Sequence, residues 1–395
     1  MTASDFRVAG LFAGIGGLEL GLQRALGNEV ETEMLCEWWE PAQHVLRTRF
    51  PGVDVHPDVR ELTTLPSSVN LVTAGFPCTD LSQAGRTAGI TGEASGLVRH
   101  LFAALEKVGT QSHLPTLLIE NVPNMLSLDR GKAMAYLVSE LEALGYRWAY
   151  RVVDSRFTGV PQRRRRVILI ASVDTDPRSV LFADNAGQPS SDGLAEDAFG
   201  FYWTEGRGGL GWAQDAVPTI KGGSTIGIPS PPAVWLPQAA VGRRFVKPSI
   251  EDSEAMQGFD RGWTDVDGIT ARKDGTRWKL VGNAVTVGVA QWVGSRLASP
   301  GEQIVEYKIT DPANGRWPMA AWGECGTVWS VPEISEFPTR NEYSHLSDVI
   351  NCDSADVLSH RAAAGFLNRL QQGNLGRFPG FREDIVGHVE AVAAI

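Results

Sequence analysis

The sequence predicts an α/β protein with a largely parallel sheet, and three observations predict it. Short apolar runs rich in β-branched residues alternate with amphipathic helical stretches. The first run leads into a glycine loop and then a helix. Two later runs end in residues suited to chemistry, Cys78 and Glu120, at the strand ends where open α/β sheets meet their ligands.

Length and composition set the frame. With 395 residues, the chain should fold as two or three units, one of them large. No apolar run reaches about eighteen residues and the N-terminus lacks a charged region followed by an apolar stretch, so a cytoplasmic protein without membrane insertion is expected. Cys36, Cys78, Cys325 and Cys352 are scattered without a Cys-x-x-Cys pair, which predicts reduced thiols and no metal site. The net charge of −10 argues against a polyanionic partner until its distribution is seen. Residues 301–395 hold 13 acidic and 7 basic side chains, whereas residues 147–166 hold seven arginines against the single Asp154. A local basic strip is what a nucleic acid needs.

In order, residues 6–12 read as a buried strand, Ala13-Gly-Ile-Gly-Gly17 as a ligand-approach loop, and the stretch to Leu26 as a helix. A dinucleotide fingerprint would need glycine at position 19, which is Glu19; this favours a nucleoside cofactor without a pyrophosphate, and S-adenosylmethionine fits. A second strand, 30–36, ends in Glu37-Trp38, where a carboxylate can accept from a ribose diol. A helix follows over 41–50. Asp58 and Val59 lie after a short third strand, and Asp58 can accept from an exocyclic adenine amine.

The run 70–74 leads into Gly75-Phe-Pro-Cys-Thr-Asp-Leu-Ser82. Pro77 stiffens the approach to Cys78, so the thiol is positioned for covalent chemistry. Ser95 is expected to cap a helix to about 108. The strand 115–120 ends at Glu120, which should face the same crevice as Cys78. A helix over 129–144 stops at Gly145, and strands follow at 146–154 and 166–172. Alternation along the second of these would send Arg164 and Arg166 to one side and Arg163 and Arg165 to the other, one pair facing the crevice and the other meeting phosphates. Residues 174–245 read as a loop-rich inserted module. Helices are expected over 248–259 and 283–297, with Asn283 as the N-cap of the second. Beyond Pro300 the residues carry no recognisable chemistry.

Taken together, Phe12-Ala-Gly-Ile-Gly-Gly17, Glu37-Trp38, Gly75-Phe-Pro-Cys78, Glu120-Asn-Val122, Gln162-Arg-Arg-Arg-Arg166, Gln257-Gly-Phe259 and Gly282-Asn-Ala-Val285 resemble, in content and order, the DNA (cytosine-5) methyltransferases of bacteria and phages. The resemblance covers residues 6 to about 298. It implies a Rossmann-like S-adenosylmethionine-dependent methyltransferase sheet in 1–173 and 246–299, an inserted target-recognition domain in 174–245, and a C-terminal extension, 300–395, of unassigned role. It further implies that Cys78 is the nucleophile, that Glu120 grips the cytosine ring, and that Arg164 and Arg166 are supporting cations. Phe12, Gly14, Ile15, Gly16, Gly17, Glu37, Trp38, Asp58, Val59, Pro77, Leu97, Asn283, Ala284 and Val285 would surround S-adenosylmethionine. Three positions depart from the common pattern: Pro57 stands where glycine is frequent before Asp58, Ala284 where serine is usual, and Asp260 where proline is common.

The chemistry explains these residue types. Carbon 5 of cytosine is a weak nucleophile, and addition of a thiolate to carbon 6 activates it. A carboxyl group at ring nitrogen 3 stabilises the charge that this addition creates, and the base must first leave the helical stack. Double-stranded DNA is therefore the implied partner. A monomer is expected, serving restriction–modification beside a cognate endonuclease or protective methylation without one. The competing readings are a tRNA cytosine methyltransferase, a catalytically silent DNA-binding protein and a nicotinamide-dependent oxidoreductase.

Overall fold

The computed structural model describes residues 5–76, 93–111, 113–188, 191–205, 209–222, 231–269, 275–303, 306–311, 316–351 and 355–393. Pro77 and Cys78 lie outside the described residues. Two compact units divide the chain: Met1–Phe157, Arg165–Gln188 and Val285–Arg340 form the first, and Thr158–Arg164, Pro189–Ala284 and Asn341–Ile395 the second.

The first unit is organised on a ten-stranded sheet. Its strands are β1 (Phe6–Leu11), β2 (Val30–Cys36), β3 (Asp54–His56), β4 (Leu71–Ala74), β5 (Thr116–Asn121), β6 (Arg147–Asp154), β7 (Arg165–Ser172), β8 (Lys308–Thr310), β9 (Ala320–Glu324) and β10 (Thr327–Ser330). The spatial order is β8-β10-β9-β6-β7-β5-β4-β1-β2-β3. From β3 across to β5 all neighbours are parallel. β7 then runs antiparallel between β5 and β6. The strand order reverses at β1, with β2 on one side and β4 on the other, and that reversal opens a crevice at the strand ends.

Burial on both faces accounts for the apolar runs. Along β7, Val167, Leu169 and Ala171 join one core while Ile168 and Ile170 join the other. The first core is closed by helices α3 (Glu93–Gln111) and α4 (Lys132–Ala143), through Leu101, Leu105, Met134 and Leu137. The second is closed by α1 (Gly17–Leu26), α5 (Pro177–Leu181) and α6 (Val287–Ala298), through Leu18, Leu22, Val180 and Val293. Helix α2 (Glu40–Arg49) links β2 and β3 and carries Pro41 in its first turn.

The second unit holds a five-stranded antiparallel sheet in the order Ala213–Gln214, Phe199–Phe201, Ala233–Trp235, Phe245–Lys247, Asp356–Val357. One of its cores is aliphatic, through residues such as Val217, Ile220 and Leu346, and the other is largely aromatic. Helices His360–Gly373 and Phe381–Ala393 supply Phe366 and Phe381, whose rings lie 5.0 and 5.2 Å from that of Phe201.

The two units group the chain differently from the expected boundaries at 174, 246 and 300: residues 246–284 fall in the second unit. The C-terminal extension is divided: β8, β9 and β10 lengthen the main sheet beyond β6, whereas 341–395 completes the second unit. Local expectations also shift. Helix α3 begins at Glu93, so Ser95 lies inside it, and the expected helix over 248–259 is the shorter Ile250–Met256, opened by a capping box between Ser249 and Asp252. Asn283 closes a helix, Thr276–Asn283, instead of capping the next, whose N-cap is Thr286; the extended Ala284 separates the two.

Candidate active site

Three strand ends build the first part of the site. After β1 the chain turns sharply: Phe12 and Gly14 have φ of 55° and 57°, and the Gly16 N–H donates to Ala13 O at 2.9 Å. Gly16, at φ 82°, caps α1, and a side chain there would strike the Phe50 ring at 2.3 Å. A side chain at Gly14 would meet nothing within 4 Å, so the loop has open space above it. Ile15 and Gly17 point inward and are buried, which leaves them only backbone to offer a ligand.

At the tip of β2, Glu37 is buried while its neighbour Trp38 is 68% exposed. The Glu37 carboxylate accepts from Gly14 N at 2.8 Å and Trp39 N at 2.9 Å. Burial lifts this carboxyl above its ordinary range, against the backbone N–H groups that lower it. Past β3, Asp58 caps a single turn, Val59–Glu61, and is held by Arg60 through Nε at 2.9 Å and Nη2 at 2.5 Å. That pairing keeps Asp58 below the usual carboxylate range. Val59 is buried, and Leu97 and Phe12 are half-buried against the same core.

The second part lies where β1, β4 and β5 end. Gly75 N donates to Leu11 O at 3.4 Å, and the Phe12 and Phe76 rings meet edge to face at 6.5 Å. The loop after β1 and the loop after β4 are therefore adjacent. β7 starts where the parallel strands finish because it is antiparallel, so Arg166 at its beginning reaches Glu120 at the end of β5. Arg166 Nε lies 2.7 Å from Glu120 Oε1, and both side chains are largely buried. The other carboxylate oxygen, Oε2, is 3.9 Å from where a Gly75 side chain would begin, three residues before Cys78.

The remaining arginines do not follow strand alternation. Arg163 belongs to the short strand Gln162–Arg163, paired in the second unit with Val217–Pro218, and β7 begins only at Arg165. Arg164 falls between the two strands and is 2% exposed. Its guanidinium donates to Ile220 O at 3.1 Å, Gly282 O at 3.2 Å and Ala284 O at 2.7 Å. Arg165 pairs with Glu336 in the first unit. Beside Arg164, Gln162 binds Met256 O, Gln257 Oε1 and the Ile220 N–H, and Gln257 reaches Val281 O. Three of the motifs that look catalytic in sequence thus meet in one buried polar knot. Asn283 and Ala284 fall in the second unit and Val285 in the first.

One acid enters the sequence reading only as the residue in place of a third glycine. Glu19, on α1, is 2% exposed and accepts from Thr73 Oγ1 at 2.5 Å, and burial raises its carboxyl. The available signal was a carboxylate on the apolar face of a helix. Among the described residues, no helix is long and apolar enough to cross a membrane, and no cluster of acidic, histidine and cysteine side chains could hold a metal.

Comparison with known proteins bears on the family of the chain and on its fold. The family model described as C-5 cytosine-specific DNA methylase matches residues 6–190. The chain is 46% identical over 370 residues to the Type II methyltransferase M2.BsuMI of Bacillus subtilis (strain 168), covering 92% of each. It is 33% identical over 184 residues to the Type II methyltransferase M.BanI of Aneurinibacillus aneurinilyticus, covering 46% of this chain and 41% of that one. The solved Dnmt2 methyltransferase of S. pombe has a TM-score of 0.54 at 15% identity, covering 74% of this chain and 98% of its own. The Entamoeba histolytica methyltransferase EhMeth gives 0.53 at 16%, over 73% and 96%. At such identities the two structures bear on the fold alone. The relative matched over nine-tenths of both chains, with the family model on the first unit's site, shows that the chain belongs to the C-5 cytosine-specific DNA methylase family and is an S-adenosylmethionine-dependent DNA cytosine methyltransferase.

Proposed function

We propose that this enzyme methylates carbon 5 of a cytosine flipped out of a specific duplex sequence, through a covalent bond from Cys78 to carbon 6. The observation that carries the reading is the Glu120 carboxylate, gripped by Arg166 at 2.7 Å and lying beside the loop that leads to Cys78.

The strand tips fit S-adenosylmethionine: open space above Gly14, a buried acceptor at Glu37, an exposed ring at Trp38 and a second carboxylate at Asp58. In this reading Phe12, Gly14, Ile15, Gly16 and Gly17 line the cofactor by backbone. Glu37 takes the ribose diol, Trp38 the face of the adenine, and Asp58 and Val59 its edge. Pro77, Leu97, Asn283, Ala284 and Val285 complete the contacts. When bound, the cofactor supplies a methyl group activated by its sulfonium.

The protein's own residues do the rest. The Cys78 thiolate adds to carbon 6, and the electrons displaced towards nitrogen 3 are met by Glu120 acting as an acid. Arg166 orients that carboxyl and can hold the ring carbonyl. Carbon 5, now nucleophilic, accepts the methyl group. Transfer of the carbon 5 proton to water, with return of the nitrogen 3 proton to Glu120, then expels Cys78 and restores the aromatic ring. Arg164, with three backbone carbonyls as acceptors, acts as a fastening cation within the second unit.

Labelled methyl donor incubated with duplex DNA and with tRNA tests the reading. Incorporation into DNA at cytosine is expected, and incorporation into tRNA alone would overturn it. Duplexes carrying 5-fluorocytosine should trap a denaturation-resistant complex with the wild type and none with Cys78→Ser, because fluorine cannot leave carbon 5 as the proton does. The same enzyme would serve restriction–modification with a companion endonuclease, or protective methylation alone, as a monomer.

A further inference from the structure

The second unit carries a cation that the chemistry above does not use. Residues Thr219–Gly222 form a short segment, exposed at Lys221 and buried at Ile220, that is fixed from several sides. Thr219 Oγ1 donates to Arg163 O at 2.9 Å, Ile220 N donates to Gln162 at 3.0 Å, and Ile220 O accepts from Arg164. Gly222 packs so closely on the helix Thr276–Asn283 that a side chain at Gly282 would meet Gly222 N at 2.2 Å. Within this rigid segment Lys221 alone projects a charge. Its Nζ lies 4.0 Å above the Tyr202 ring, a cation–π seat, and 2.5 Å from Glu205, both side chains being nearly half exposed.

The seat is itself held. The Tyr202 hydroxyl donates to Thr219 O at 2.8 Å, and burial pushes its pKa up to about 12, so it stays a donor. Arg369, from the helix His360–Gly373, donates to Trp203 O at 2.9 Å and Glu205 O at 3.1 Å. A buried framework therefore presents one ammonium on an aromatic platform, in a chain whose net charge is −10. An exposed ion pair such as Lys221–Glu205 is weak and exchangeable, and a flexible-stemmed ammonium is a point charge suited to phosphate.

We propose that Lys221 is a phosphodiester contact of this module with duplex DNA, and that Glu205 is the counter-ion which the DNA displaces. The inference rests on the DNA methylase reading and adds the residue and chemical group through which the second unit meets its substrate. Tyr202 and Arg369 are positioning residues for that contact.

Salt dependence of duplex binding tests it. Each phosphate contact contributes about 0.9 to the slope of log affinity against log salt. Lys221→Ala should therefore lower the slope by about 0.9 and weaken binding about eightfold at 0.1 M salt, converging on the wild type near 1 M. The loss should be equal for cognate and non-cognate duplexes. Lys221→Arg should restore the slope, and Glu205→Gln, which frees the ammonium, should tighten binding about two- to fivefold. A wild-type slope in Lys221→Ala, a loss confined to the cognate duplex, or weaker binding by Glu205→Gln would overturn the inference. Methyl transfer by the wild type reports separately on the methylase reading, so failure of the lysine proposal leaves that reading intact.

Discussion

Arg164 and Arg166 stand two positions apart and are held by opposite kinds of partner. Arg166 sits in β7 of the first unit against a carboxylate, whereas Arg164 sits in the second unit against three neutral backbone carbonyls. A guanidinium facing carbonyls can only fasten, since none of its acceptors gains or loses a proton. One facing a carboxylate fixes how that group is oriented, through a charge-assisted bond. Identical side chains thus divide into a clamp and a chemical partner because the strand is interrupted between them.

The largest expected effects fall on the carboxylate side. Cys78→Ser should abolish methyl transfer while cofactor binding, followed by calorimetry, persists. Glu120→Gln should slow single-turnover transfer by about a hundredfold or more without altering the unfolding midpoint; near-wild-type rates would remove Glu120 from the reaction. On the clamp side the expected signature is structural. Arg164→Ala orphans buried carbonyls at about 1 kcal/mol or more each, so denaturant unfolding of the second unit should shift markedly. Arg166→Lys should cost rate more than stability. If the two variants showed the same profile, the division between clamp and partner would fail.

The first unit was legible because its signals are local. Gly14, Glu37 and Asp58 lie just past strands of the parallel half-sheet and Glu120 near the end of one, and the strand order then brings these ends together. The second unit was not, because its core joins residues remote in sequence. Phe201 packs on Phe366 and Phe381, and no window containing one reveals the others. The same reason hid the fate of Arg164 and Asn283. Alternation assumed one continuous strand through the arginines, and the N-cap assignment assumed one helix, where the chain makes two short elements in each place. Truncation at residue 340 sharpens this contrast: the first unit should keep its cooperative unfolding, while the second loses its two covering helices and exposes aromatic surface to dye binding.

Two histidines of the C-terminal segment offer the finest test. Asp215 raises His345, whose Nδ1 lies 2.7 Å from its carboxylate, whereas burial lowers His388, which donates from Nε2 to Leu358 O. The His345 contribution is complete below the ordinary value of 6.5 and fades as pH rises through its raised folded value. The His388 contribution is complete above 6.5 and fades as pH falls towards its lowered one. Urea midpoints from about pH 5 to 8 should therefore lose their alkaline fall in His345→Gln and their acid fall in His388→Gln. The effect should be small for His345, which is 41% exposed.

The strands β8 to β10 carry a last implication. Antiparallel pairing with β9 satisfies the backbone of β6 from Trp148 to Arg151, and the series ends in β8, three residues long with Lys308 at its start. Short, lysine-bearing borders resist joining a neighbouring molecule strand to strand. β8 to β10 therefore cover the edge of β6, and removing them should leave that longer row of backbone donors and acceptors unpaired.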